Sequence, residues 1–358
     1  MRDRRLLLKS LGAVVILIML AVMLPVGNVS STSIYTGRGF PYRAFSDLPS
    51  TRFELNGGVL EVAFAPGTTS LPRGEVLGWA ERSANSIVSY YGRLPTPTAK
   101  LLFVPVPGRR INGTTYGYGG AASRILLGSD TKAAGLERDW VLVHELVHHG
   151  FPFIVGPRDW MHEGVATYVE PIARAQIGLI PVDEVWRQLV VGLPKGQPRY
   201  GDQGLDGTPT WGRTYWGGAM FFLLADVELR RRTGNRRGLQ HVLQSTVAEG
   251  GNITQEWTVE RFNAAGERAT GTDVMAQLYD CLKDTPRTVD LIALWRDLGV
   301  KLVGRNVQYD DAAQFAHIRR AITQPLRSPV ERSQMLANSS VHSTNVSSCS
   351  TIPWIRGQ

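Results

Sequence analysis

One short run constrains this chain more than any other part of it: Trp140-Val141-Leu142-Val143-His144-Glu145-Leu146-Val147-His148-His149. The apolar residues before and inside it call for a buried helix. A spacing of four then sets His144 and His148 one above the other on a single face. Two imidazoles one turn apart can hold one divalent cation, and Glu145, directly after the first, falls beside the cation rather than on it. A carboxylate there can take a proton from a metal-bound water. Two histidines on a partly exposed helix would show the same spacing by chance, so the neighbouring sequence matters. Four of the seven histidines fall between positions 144 and 162.

A third ligand is present at a suitable distance. Trp160-Met161-His162-Glu163-Gly164-Val165-Ala166-Thr167-Tyr168 opens a further helix, expected from about His162 to Ile177. Antiparallel helices joined by the loop 150–159 would bring the Glu163 carboxylate to the two imidazoles, leaving an open position for water, as catalytic zinc sites do. His162 competes with Glu163 for this place. The ligand types point to Zn2+, with another divalent ion as the alternative.

The 358 residues suit one large domain or two modest ones. With 43% hydrophobic and 20% charged residues the chain can bury a core. Two cysteines exclude a disulfide-built scaffold and a four-thiolate zinc site. The net charge of +8 is spread without a long basic block, which argues against a nucleic-acid partner. Arg2, Arg4, Arg5 and Lys9 precede an apolar stretch from Leu11 to Val26. That is the layout of a signal segment or an uncleaved membrane anchor, with the remainder outside the cytoplasm. Export would permit a bond between Cys281 and Cys349; two unpaired thiols are equally compatible with the sequence.

The organisation expected along the chain is α+β. A signal or anchor segment occupies 1–30 and a linker 31–50. A catalytic region of a few strands and helices spans 51–235, a helical region 236–325 and a flexible tail 326–358. A hairpin is expected around Asn56-Gly57-Gly58, a helix from Arg73 to Tyr91, and buried strands at Leu101–Val106 and within Gly117–Leu127. Helices are expected at Leu136–His149, Val182–Val190, Tyr215–Arg232 and Leu291–Val303. The Gly-, Pro- and Asp-rich stretch Pro194–Arg213 is long for a connection, and such loops are often functional. Within and beside it, Asp202 and Asp206 vaguely resemble a calcium loop. Arg158 and Arg213 are either surface cations or partners for a substrate carboxylate.

Together, His144-Glu145-x-x-His148 and Trp160-x-x-Glu163-Gly164-x-Ala166-x-Tyr168 resemble the gluzincin metallopeptidases, in particular the aminopeptidase N and glycyl aminopeptidase families. The resemblance extends over about residues 70–305 and implies a zincin-like fold, a small mixed sheet with active-site helices. It implies zinc held by His144, His148 and Glu163, with Glu145 as general base. The distance from His148 to Glu163 is a few residues shorter than the eighteen usual in aminopeptidase N. Tyr215-Trp216-Gly217-Gly218-Ala219 is similar to the Tyr-x-x-Gly-Ala signature of the same families, which implies that Tyr215 donates to the oxyanion of the tetrahedral intermediate. The implied activity is hydrolysis of a peptide or protein by attack of metal-bound water. The family's Gly-x-Met-Glu-Asn strand corresponds to Gly119-Gly120-Ala121-Ala122-Ser123, so the carboxylate that binds a substrate's free amino terminus is missing. The backbone of Gly119, Gly120 and Ala121 could still hydrogen-bond an extended peptide. A non-catalytic, membrane-anchored peptide-binding or scaffolding protein that keeps the fold is the alternative.

Overall fold

Leu101-Leu102-Phe103-Val104 is apolar on both faces, and such a strand has to lie inside a sheet covered on both sides. The computed structural model describes residues 33–325, 349 and 352–356. In it these four residues are fully buried at the centre of a five-stranded mixed sheet. β1 (Ser50–Leu55) and β2 (Gly58–Phe64) form the expected hairpin. β3 (Thr98–Val106) and β5 (Ala122–Gly128) continue the sheet in parallel, and β4 (Ile111–Tyr116) closes one edge antiparallel to β5. β4 has no counterpart in the sequence reading.

One face of the sheet meets the helices. Leu101, Phe103, Leu60, Val62 and Ile125 belong to the main core, together with Val76, Ala80, Ala84, Ile87 and Tyr91 of the long crossover helix. The other face needs its own cover, because Leu102, Val104 and Ala63 point there. Phe40 and Ala44 supply it. Residues 33–48, expected as a linker, are therefore a structural layer carrying two short helical turns, α1 (Ser33–Thr36) and α2 (Ala44–Asp47).

The crossover helix, α3 (Arg73–Tyr91), has the bounds expected of it. The single helix expected at Leu136–His149 is two: α4 (Ala133–Arg138) and α5 (Val141–His149). Asp139 makes the break, its Oδ2 accepting the Leu142 N–H at 3.0 Å as a helix cap does. β6 (Phe153–Ile154) and α6 (Asp159–Gln176) follow, then α7 (Val182–Gly192) and the short α8 (Gly204–Gly207). The helix expected from Tyr215 begins instead with a π-helical turn, Gly212–Gly217, which leads into α9 (Gly218–Arg232).

α10 (Leu239–Ala248), β7 (Glu256–Trp257, paired with β6), α11 (Val259–Thr270), α12 (Val274–Leu282) and α13 (Leu291–Leu298) complete the helical part. α13 stops five residues before the expected Val303, because Gly299 takes φ 66° and turns the chain into the hairpin of β8 (Val300–Val303) and β9 (Asn306–Tyr309). α14 (Ala316–Thr323) follows. One buried core includes residues from both sides of position 235. Among the described residues no helix is long and apolar enough to cross a membrane. The apolar stretch Leu11–Val26 lies outside them, as does most of the expected tail.

The last described residues are not loose. Trp354 is fully buried and donates from Nε1 to Asp297 Oδ2 at 3.0 Å, and its carbonyl accepts the Asp290 N–H at 2.8 Å. Cys349 is bonded to Cys281 of α12, with Cα atoms 5.6 Å apart across 68 residues of sequence. A cross-link over a loop of that length restricts the unfolded chain by about 4 kcal/mol. Cys281→Ser combined with Cys349→Ser is therefore expected to lower the melting temperature by about 6 °C. Thermal unfolding followed by circular dichroism checks this, and an unchanged transition would contradict it.

Candidate metal centre

α5 is buried along nearly its whole length: Leu142, Val143, Leu146 and Val147 pack into the core, and one polar strip carries His144, Glu145 and His148. That strip opens on a cavity of about 770 Å³. α6 crosses it and brings Glu163 to the same place. Glu163 Oε2 lies 3.1 Å from His144 Nε2 and 3.8 Å from His148 Nε2. One ligand atom from each of the three residues lies within 4.8 Å of the others. Two imidazole nitrogens and a carboxylate oxygen at that mutual distance fit a single divalent ion, and the cavity in front leaves room for further ligands. His162 takes no part in this set. Its Nε2 accepts the Ile154 N–H at 3.0 Å, and its ring packs against Phe151 and Phe153.

Close backbone contact explains why Glu163 arrives there. A Cβ built on Gly164 would stand 2.4 Å from the Gly218 Cα, and one on Gly218 only 2.1 Å from the Trp160 carbonyl oxygen. The two glycines let the start of α9 lie directly on the first turns of α6. The same approach carries the π-helical turn, and with it Tyr215, to His144 and Glu163. Irregular helical turns of this kind are frequent at functional sites. The Tyr215 ring lies nearly parallel to that of His144, centroids 6.2 Å apart and planes at 19°, and its hydroxyl is close enough to the Glu163 carboxylate to feel its charge.

Burial favours the neutral, cation-binding form of His148 and pushes it down to about 3. Burial also opposes the charged form of Glu163. The hydrogen bond with His144 and the fields of His148 and His144 outweigh it and hold the carboxyl down to about 2. Burial pushes the Tyr215 phenol up to about 12, helped by the Glu163 charge, so the hydroxyl keeps its proton. Glu145 is raised above the ordinary carboxylate range, again mainly by burial, against the lowering influence of His144 and Thr115.

Glu145 is also held in place. Its Oε2 accepts from Thr115 Oγ1 at 2.7 Å; Thr115 Oγ1 lies 2.9 Å from Ser123 Oγ, which lies 2.8 Å from His149 Nε2. His149 is lowered by burial to about 4, so this chain ends in a neutral ring. Gly113 gives the carboxylate its space, since a Cβ there would stand 2.3 Å from Glu145 Cγ. Sequence reasoning missed Thr115, Ser123, His149 and Gly113. The pairing of β4 with β5 and the packing of α5 against them bring these residues together, and the only local hint was a pair of threonines beside a glycine at 113–115.

Gly119, Gly120 and Ala121 do not line the cavity; Ile111 to Thr115 of β4 do. The glycine-rich segment is the connection from β4 to β5, with Gly119 against the Tyr42 ring. The strand exposed along the cleft is the antiparallel edge strand before it. Arg213 and Asp202 form a buried ion pair at 2.9 Å. Asp206 accepts from Trp160 Nε1 at 2.8 Å and Tyr279 OH at 2.7 Å, and its other ion-pair neighbour is Arg158 at 3.4 Å. All four charged groups are thus engaged with one another and with the fold.

No family model matches this sequence, and no curated protein matches it. The fold does have solved likenesses. An aminopeptidase N family protein from Idiomarina loihiensis superposes with a TM-score of 0.55 at 15% identity, over 71% of this chain and 49% of that one. An M1 zinc metallopeptidase from Deinococcus radiodurans gives a TM-score of 0.43 at 15% identity, over 66% and 52%. The chain thus spans about half the length of these structures. At this identity the likeness to the first is one of fold, and the fold is gluzincin-like.

Proposed function

We propose that this chain is a zinc-dependent peptidase. One observation carries the reading: His144, His148 and Glu163 converge within 4.8 Å on the same cavity that Glu145 and Tyr215 face. In this reading the three ligands hold zinc, which when bound polarises the scissile carbonyl and acidifies water. Glu145 accepts a proton from the attacking water and returns it to the leaving nitrogen as the C–N bond breaks. Burial raises its proton affinity, which supports that exchange, and Thr115 holds Oε2 so that Oε1 stays beside Gly113. Tyr215, still protonated, donates to the oxygen that gains negative charge.

The substrate in this proposal is an extended peptide or a protein segment. The edge of β4, unpaired among the described residues, supports it, since Asn112 to Thr114 offer backbone groups beside the proposed metal ligands. We further place the activity outside the cytoplasm, on the strength of the Cys281–Cys349 bond and of the basic and apolar sequence 2–26, which would export or anchor the chain. The test is digestion of a mixed peptide library by the zinc-loaded chain, followed by kinetics on one cleaved sequence. Tyr215→Phe is expected to lower kcat by about 10²–10³ with little change in KM. Peptides that bind and are never cleaved would overturn the peptidase reading in favour of a binding protein.

A further inference from the structure

The cavity in front of the metal ligands does not end there. Trp140, His144 and Tyr215 also line a second cavity of about 550 Å³, and Lys195 and Trp211 join that one to a third of about 530 Å³. The third is built on the Gly-, Pro- and Asp-rich connection between α7 and the π-helical turn, which the metal site leaves unexplained, and the second is closed by Lys195 and Trp211 of the same connection. The connection is pinned at its base: Arg213 Nη1 donates to the Gly196 carbonyl at 2.7 Å, and the Arg213–Asp202 pair is buried. From that base it projects Trp211 and Tyr200, both exposed, beside Trp140, which is also exposed. Exposed aromatics set along this run of cavities, Trp140 and Trp211 on the second and Trp211 and Tyr200 on the third, are costly unless something covers them.

The charges there have one sign. Glu170 is the one carboxylate lining the second cavity, and Arg174 answers it at 2.6 Å. Asp202, the one lining the third, is answered by Arg213. Arg187 is paired with Glu184 at 2.6 Å. Lys195 and Arg199 remain. Among the described residues neither has a carboxylate within ion-pair distance; the Lys195 ammonium lies 5.4 Å from the Trp216 ring centroid and 6.0 Å from that of Trp211. The rings of His144, Tyr215 and Trp211 form a stack with centroid steps of 6.2 and 6.0 Å, and the ammonium of Lys195 stands at its outer end. That path equals at most about five residues of extended peptide.

We propose that this aromatic-walled, basic extension is a subsite for a substrate carboxylate, received by Lys195 and Arg199 within about five residues of the bond that is cleaved. The inference rests on the peptidase reading for its position along a substrate, but the binding it asserts can be measured without turnover. A carboxylate can come from an acidic side chain or from a peptide's C-terminus, and the test separates the two. Fluorescein-labelled alanine-based heptapeptides carrying Glu or Gln at each position, with free or amidated C-termini, are titrated by anisotropy against the zinc-loaded full chain bearing Glu145→Gln.

Acidic peptides are expected to bind about two- to fivefold more tightly than their neutral counterparts, the range for solvated ion pairs, with the gap closing as salt is raised. A Glu-over-Gln preference identifies a side-chain acid, and a preference for free over amidated ends identifies the C-terminus. Lys195→Gln with Arg199→Gln should abolish the preference, and Lys195→Glu should turn it toward Lys-containing peptides. Equal affinities across the set, no binding at all, or a preference untouched by these surface changes would overturn the subsite. Cleavage of the same peptides by the unaltered chain is scored separately. Cleavage without preference removes the subsite and keeps the peptidase, whereas preference without cleavage does the reverse.

Discussion

Replacing Glu145 by glutamine is expected to leave a folded, zinc-loaded protein whose turnover falls by about 10³-fold or more. Glutamine has nearly the same shape and still accepts from Thr115, so the 2.7 Å contact can survive. It cannot take a proton, and positioned acid–base groups typically contribute 10²–10⁴-fold. Folding should not suffer. Glu145 is buried at 7% exposure and its ionised form is disfavoured there, so a neutral isostere removes a desolvation penalty. The measurement is kcat on any cleaved peptide alongside zinc content and thermal unfolding. Full turnover in Glu145→Gln would end the proposed mechanism, whatever the metal content.

The second large effect is on the metal itself. His148→Ala removes one of the three proposed ligands and leaves a pocket where the ring was, so zinc affinity should fall by more than the 10–100-fold typical of disturbing a residue behind a ligand. Zinc should raise the melting temperature of the original chain, because it binds only the assembled site, and should leave that of His148→Ala nearly unmoved. Elemental analysis after gel filtration gives an independent reading. A His148→Ala chain that retains stoichiometric zinc would mean that the cation, if present, sits elsewhere. The two experiments fail separately: the first tests the proton carrier, the second the ion.

Much of the local structure could be read in advance. The apolar spacing of Val76, Ala80, Ala84, Ile87 and Tyr91 set the bounds of α3, and Asn56-Gly57 marked a hairpin. Segments with long-range partners were harder. Ile111–Tyr116 is short, partly polar and rich in threonine, and becomes a strand only because β5 offers it an edge. Residues 33–48 looked like a linker because their composition is that of one; the second apolar face of β3 makes them a cover. The segment 352–356 sits in a Ser- and Thr-rich surround, and the burial of Trp354 overrides that setting.

For the site, the helical repeat alone put His144 and His148 on one face and Glu145 beside them, since residues four apart must align wherever an α-helix forms. The choice of Glu163 over His162, the arrival of Tyr215, the Thr115 contact to Glu145 and the basic extension beyond Trp211 all depend on elements far apart in sequence. Contact between α6 and α9 at two glycines and the pairing of β4 with β5 decide them. A helix repeat acts within one turn and can be read from spacing, whereas contacts of that kind exist only once the chain has closed on itself.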